Sequence, residues 1–436
     1  MQRHPGDPLG ARSIGRTMAI QITGSYFSWM DYSERERREA LDVIDLFSEQ
    51  DTRDELGIGT VRDAFADLLF PGTTTIQTRA RYFLFIPWIY TELERLRVPS
   101  RQMAVGARRE EITLIDALAS SDDPDGTIGI EARASLKRLP SNVYWLGLRR
   151  WGIRLFPGSQ DQYNRSLDAF YASDSRFSRS RRNDEGEPVD GSSSRSWHAA
   201  VPARPDGFPR QASFSLTEAE ADYLHERLLT HAPRTLLTLL VDRGEPSGRV
   251  DLPWQHQLVL QAPPAIRDQV DHARAFSEMM HGAALLYNLM LAQHASNELL
   301  VERYRTALQE WSLVIAEREE ALVQWDRQRF WQIVGSGGNR IPIPTRGFVD
   351  AWLDLVLEGS GPKQAASVIL TNERAQQLIF DRERSIKRDR ARLDNRRALE
   401  LWSGAAGTAQ LSYRWPVAQT IISDIVAALR GKTADA

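Results

Sequence analysis

Apolar residues recur at helical spacing along most of the chain. After Tyr32, Ala40, Leu41, Ile44 and Phe47 mark one face, and Ser33 with Glu36 has the Ser-x-x-Glu capping spacing, which predicts an amphipathic helix ending near Gln50. A second helix is expected over Thr60 to Phe70, stopped by Pro71-Gly72. A third is expected to start among Thr73, Thr74 and Thr75 and to run to about Leu96, kinked at Pro87. Shorter helices fit Glu110 to Leu118 and Ser141 to Arg150, the latter capped by Ser141. Ser215 and Glu218 repeat the capping spacing before another helix, and Pro264 to Ala295 reads as mainly helical. From Asn297 to Val334, Val301, Tyr304, Leu308, Trp311, Ile315, Leu322 and Trp325 alternate by threes and fours, a narrow seam interrupted by Arg318. Phe348 to Leu357 restarts helix beyond a glycine run, and a long helix is expected from Thr371 to Trp402.

One stretch breaks the pattern. Residues 171–195 are rich in Ser, Gly, Arg and Asp, with five basic and five acidic side chains and no aliphatic periodicity. Prolines 202, 205 and 209 follow, so 171–210 reads as a linker or long loop. Residues 1–17 read as a flexible lead, with Met18 an alternative start. The expectation is therefore a mainly α protein with two helical domains, 18–170 and 211–436. The first contains a part that fits a helix-turn-helix or winged helix, and the second contains two long helices.

Composition narrows the chemistry. The 436 residues carry 55 basic and 58 acidic side chains and no cysteine, which excludes disulfides and thiolate metal sites. The longest apolar runs are far below the ~20 residues of a membrane span, and no signal peptide is evident, so the cytoplasm is the expected compartment. Lys137, Lys363, Lys387 and Lys432 are the only lysines, leaving 51 arginines. A GC-rich genome accounts for such a bias; bidentate recognition of phosphate is the functional reading. The net charge of −3 restricts any nucleic-acid surface to a local patch.

Several motifs fail on inspection. Gly57-Ile-Gly59 lacks the third glycine of a dinucleotide fingerprint and follows no buried strand, and Gly431-Lys432-Thr433 lacks the first glycine of a P-loop. No lysine has an acidic residue two positions before it, so the acid-x-Lys pair of many metal-dependent nucleases is missing, as is a Gly-x-Ser-x-Gly elbow. Glu278 with His281 is the best metal candidate, with His272, His294 and Glu298 at helical distances. The Glu-x-x-His pair occurs once, whereas helical di-metal sites need it twice. His281 reads as a satisfied core histidine among small, tightly packed neighbours. No catalytic set, cofactor or metal site is assigned.

Two arginine-rich surfaces remain. The helix expected over Arg374 to Arg397 carries eight arginines and Lys387 against four acids, with apolar anchors only at Ile379, Ile386 and Leu393. Lys387, Arg388, Arg392 and Arg396 on its exposed flanks could neutralise phosphates; acid–base pairs along a solvated helix are the bland alternative. Near the N-terminus, Arg79 and Arg81 lie beside the threonines expected to open the third helix, as in the second helix of a helix-turn-helix. Arg149 and Arg150 interleave with Tyr144, Trp145 and Trp151. Threonine capping, surface arginine and half-buried aromatics explain the same residues without a ligand.

The runs FSWMDYSERERREALDVIDLF, DELGIGTVRDAFADLLFPGTTTIQTRARYFLFIPWIY, LPSNVYWLGLRRWGIRLFPGSQ and HARAFSEMMHGAALLYNLMLA resemble the bacterial family labelled domain of unknown function 6361. The resemblance runs from about Phe27 into the C-terminal half. It implies a cytosolic protein often encoded near helicases and other genes of phage-defence islands, and it transfers no catalytic residues. The resulting expectation is a non-enzymatic component of an anti-phage system that binds DNA or a helicase or nuclease partner. A metal-dependent hydrolase using Glu278 and His281, and a scaffold with no nucleic-acid contact, are the alternatives. The oligomeric state is open.

Overall fold

A computed structural model describes residues 54–180, 196–244, 248–357 and 368–434, with the side chains of 174–180 and 432–434 left aside. The helix expected after Tyr32, the lead over 1–17 and Met18 lie outside these residues. Every regular element among the described residues is a helix; extended pairing is confined to one bridge between Arg154 and Trp197. No helix among them is long and apolar enough to cross a membrane.

The centre of the fold is α9, Pro264–His294, which starts on a proline suited to a first helical turn and buries most of its length. Around it pack α1 (Gly59–Leu69), α10 (Glu298–Glu317), α13 (Ile343–Leu357) and α14 (Glu373–Lys387). The expected seam is the face that α10 presents: Val301, Tyr304, Leu308, Trp311 and Ile315 are all buried. Gly282 explains how closely the two helices approach. A Cβ at this position would sit 2.3 Å from the Trp311 ring. Arg318 does interrupt the seam, at the junction between α10 and the short α11 (Glu319–Val323) that precedes α12 (Arg327–Ser336).

A second group comprises α2 (Tyr82–Arg95), α3 (Ser100–Ala119), α4 (Pro140–Arg150) and α5 (Gln160–Ser180). Here α2 begins at Tyr82 rather than among Thr73 to Thr75, so the threonines do not open a helix. Residues 73–81 form a turn-rich connection because side chains satisfy its backbone. The Tyr144 hydroxyl accepts from the amides of Thr78 and Arg79 and donates to the Arg79 carbonyl. Pro71-Gly72 stops α1 as expected. Gly72, at φ +84°, leaves room for Trp151, whose indole donates to the Pro71 carbonyl and stacks on Phe83 at 3.9 Å. Helix α2 continues through Pro87. Leu139 occupies the cap position of α4; Ser141 lies inside the first turn, its amide and hydroxyl both donating to the buried Glu111 carboxylate.

The third group joins α6 (Glu218–His231), α7 (Leu236–Arg243) and α16 (Trp415–Ala434), with the single-turn α8 (Gln257–Leu260) before α9. Thr217 and Glu220, not Ser215 and Glu218, form the capping box of α6. All the described residues belong to one compact unit and share one hydrophobic core. Of the stretch read as a linker, 171–180 continues α5, 181–195 lies outside the described residues, and 196–210 is anchored at Trp197 and Phe208 with residues 203–207 exposed between them. Trp197 is 3% exposed and Phe208 6%. Two aromatic anchors hold a segment whose aliphatic pattern is blank, each burying as much apolar surface as several small residues.

The helix expected from Thr371 to Trp402 is two helices. Helix α14 stops at Lys387, and after a turn and a loop the five-residue α15, Arg396–Glu400, follows.

Candidate nucleic-acid interface

The break after Lys387 is caused by a buried carboxylate. Glu383 lies one turn before the end of α14 and is fully buried. Its oxygens accept the backbone amides of Arg392 at 3.0 Å and Leu393 at 2.9 Å, the Tyr287 hydroxyl at 2.5 Å and the Lys387 ammonium at 3.1 Å. The chain must fold back within a few residues to deliver those two amides, so the helix cannot continue. Burial pushes the Glu383 carboxyl up. The bonds from Tyr287, Leu393 and Arg392 and the charge of Lys387 outweigh it and hold the group below the usual carboxylate range. Burial and the neighbouring Glu383 push the Tyr287 hydroxyl far up, so it remains a donor.

The turn is made at Arg388, whose backbone is at φ 50°, ψ −123°. This is the first-corner conformation of a type II′ turn, where glycine is favoured and a Cβ is strained. Beyond it Asn395 caps α15 and its amide donates to the Asp389 carbonyl, fixing the return limb.

The turn sorts the basic residues into two sets. Lys387 and Arg392 face inward: Lys387 pairs with Glu55 and Glu383, and Arg392 lies 3.0 Å from Glu55. Arg384, Arg388 and Arg396 line an open hollow of about 500 Å³ with Asp389, Asp394 and Asn395. Arg390 and Arg397 are exposed nearby on the same loop and the short helix. Arg384 is 3.5 Å from Asp394, and Arg396, 93% exposed, is 3.9 Å from Glu400. Arg388, Arg390 and Arg397 make no ion pair among the described residues. Five exposed arginines thus surround two aspartates.

Arg81 is the residue immediately before α2 and Arg79 lies two residues earlier, so both are at a helix start as expected, but neither is a spare surface cation. Arg79 binds Asp424 at 3.0 Å and Asp123 at 2.8 Å, tying the start of α2 to α16. Arg81 is buried, 2.7 Å from Glu220 of α6. Burial disfavours the charge of Arg79, and its hydrogen bonds to Asp424 and Asp123 more than restore it. Arg149 and Arg150 are exposed at the end of α4, Arg149 donating to the Leu155 carbonyl at 3.0 Å. Of the eight cations expected to meet nucleic acid, Arg388 and Arg396 come together; Lys387, Arg392, Arg79 and Arg81 are held by internal carboxylates.

Arg384, Arg390 and Arg397 complete the hollow and its rim and were not singled out from sequence. Their signal was present in the same charged run. Which of its arginines point outward depends on a turn that periodicity does not reveal.

Glu278 and His281 do not converge. Glu278 is clamped by Arg274 at 2.7 Å and Arg318 at 3.0 Å, whereas the His281 imidazole lies 3.1 Å from the Thr408 carbonyl. Burial lowers the His281 pKa. His272 accepts the Trp325 indole N–H at 2.7 Å. No group of three or more acidic or histidine side chains suited to a metal occurs among the described residues.

No curated protein and no solved structure shows significant similarity to the chain. Residues 24–429 match one family throughout, and the chain is a member of the family of unknown function DUF6361.

Proposed function

We propose that the chain binds nucleic-acid backbone through the arginine hollow of residues 384–397, as a non-enzymatic component of an anti-phage defence system. The observation that carries the reading is Arg388. A strained, glycine-favoured corner is filled by an arginine whose side chain borders a hollow shared with Arg384 and Arg396. Guanidinium groups grouped around an open concavity suit phosphate oxygens, and each one neutralised adds to the salt dependence of binding. The contacts are with the backbone, so the binding is independent of base sequence. DNA is the expected polymer, and a helicase or nuclease bound to the same DNA is the expected partner.

The test is fluorescence anisotropy of a labelled DNA duplex across a potassium chloride series. Reversing Arg388 and Arg396 to glutamate should weaken binding at least tenfold at low salt and flatten the log–log slope by roughly 2. Arg392 is left intact because its reversal would set a second carboxylate against Glu55. Unchanged affinity in the double variant removes the hollow from the reading.

A further inference from the structure

The side of α10 that faces away from its buried seam carries acids without partners. Glu310, Leu313, Val314 and Glu317 recur three and four residues apart, so they share one face of the helix, and all four are exposed. Glu320 and Val323 of α11 continue the exposed set beyond the helix end. Leu313 is 65% exposed and Val323 63%, so the carboxylates alternate with aliphatic side chains left in water. The arginines nearest in sequence are already engaged: Arg318 with Glu278, Arg327 with Asp354 and Arg329 with Asp268. Glu310, Glu317 and Glu320 make no ion pair among the described residues.

The complement to this face is on the same chain. Arg388, Arg390 and Arg397 are exposed and make no ion pair among the described residues, and Leu401, four positions after Arg397, is 81% exposed. The segment after Leu401 packs at the other end of α10, where Tyr304, in the second turn, donates its hydroxyl to the Gly404 carbonyl at 2.5 Å. From Tyr304 to Glu317 the helix rises by about 20 Å. Helix α10 is fixed on α9 by the contact at Gly282 and by the Trp311 indole, which donates to the Glu278 carbonyl at 2.7 Å. The acidic and the basic surface are therefore held apart and cannot close on each other within one molecule.

We infer that the acidic, aliphatic face of α10 and α11 docks a second copy of this chain, which it meets at Arg388, Arg390, Arg397 and Leu401. Three unpaired carboxylates face three unpaired guanidiniums. Opposite charge steers the encounter and fixes the register, and Leu313, Val314, Val323 and Leu401 supply the apolar contact. The two surfaces differ, so the contact is heterologous and copies add head to tail. The docked copy occupies arginines that the nucleic-acid reading uses, so DNA and a second copy compete for them. The inference shares those residues with that reading and does not require DNA to bind.

Sedimentation velocity of the full chain without DNA tests it. At low salt the weight-average coefficient should rise with protein concentration, and at high salt it should return to the monomer value. Glu317→Gln with Glu320→Gln should weaken self-association at least tenfold and leave duplex affinity, measured in dilute protein, unchanged. The decisive variants reverse charge: Glu317→Arg with Glu320→Arg in one chain, and Arg390→Glu with Arg397→Glu in another. Each alone should stay monomeric, and an equimolar mixture should associate again, which also shows that both are folded. Association that persists at high salt, or a mixture that stays monomeric, would overturn the assignment. Duplex binding by a wild-type chain that is monomeric at every concentration would overturn this contact and leave the nucleic-acid reading standing; self-association without duplex binding would do the reverse.

Discussion

Replacing Arg388 with glycine should make the protein more stable and bind DNA less well. The Arg388 backbone, at φ 50° and ψ −123°, lies where a Cβ is strained by about 1–3 kcal/mol. Glycine relieves that strain and loses roughly 0.5–1 kcal/mol through the greater freedom of its unfolded chain. The balance is a gain of about 1 kcal/mol, read as a higher urea midpoint at unchanged slope. Nothing else in the fold should respond, because Arg388 is exposed and makes no ion pair among the described residues. In the same preparation, loss of one phosphate contact should flatten the salt dependence of duplex binding by roughly 0.9 in log–log slope. Opposite signs for stability and binding distinguish a residue retained for a ligand from one retained for the fold. A variant less stable than wild type would show that the turn is unstrained or that the guanidinium supports the fold. A more stable variant with wild-type binding would show that the corner serves no nucleic-acid contact.

Three further outcomes follow from buried groups. Burial raises the Glu111 carboxyl to about 7 despite its bonds from Ser141, so the folded state holds a proton that the unfolded chain releases near pH 4.5. Stability from this group is complete below pH 4.5 and is lost as pH rises through 7, by about 3 kcal/mol at most. Glu111→Gln should flatten that part of a pH series of urea midpoints, and an unchanged profile would refute the assignment. Glu383→Ala removes the acceptor for two amides, a hydroxyl and an ammonium; it should cost about 3–5 kcal/mol and open residues 388–397 to trypsin, and an unchanged cleavage pattern would count against the network as the cause of the turn. Gly282→Ala would place a methyl 2.3 Å from the Trp311 ring, so it should destabilise by about 1–3 kcal/mol in urea unfolding; a neutral effect would mean α9 and α10 separate easily.

The elements that sequence patterning located best bury a continuous stripe. The seam at Val301, Tyr304, Leu308, Trp311 and Ile315 is buried as read, and so is the small-residue run around Gly282 on which Trp311 rests. Helix starts were read less well, and for one reason. Thr73 to Thr75 and Ser141 have a capping side chain, but a cap forms only where the backbone is free to donate. The connection before α2 gives its amides to Tyr144 instead, and Ser141 is engaged by Glu111. These partners lie tens of residues away, beyond any local window. The segment 196–210 was read as a linker because aliphatic periodicity is blank to single aromatic anchors such as Trp197 and Phe208.

The cations show the same limit more sharply. A charge count over Arg374 to Arg397 yields an excess of five, and as a count it is correct. It says nothing about which charges are already answered, because the answering acids come from elsewhere: Glu55 for Lys387 and Arg392, Asp424 for Arg79, Glu220 for Arg81. Burying these pairs costs desolvation that their attraction barely offsets, so their value lies in fixing geometry rather than in adding stability. Here the geometry fixed is a reversal of the chain, which takes Lys387 and Arg392 inside and leaves Arg384, Arg388, Arg390, Arg396 and Arg397 outside. The local sign of that reversal was Glu383, a glutamate in an arginine-rich run one turn beyond the buried Ile379; Ile386, expected as an anchor of the same stripe, is exposed. An acid on the buried stripe of a basic helix needs donors of its own, and backbone amides just past the helix end are the nearest available to it.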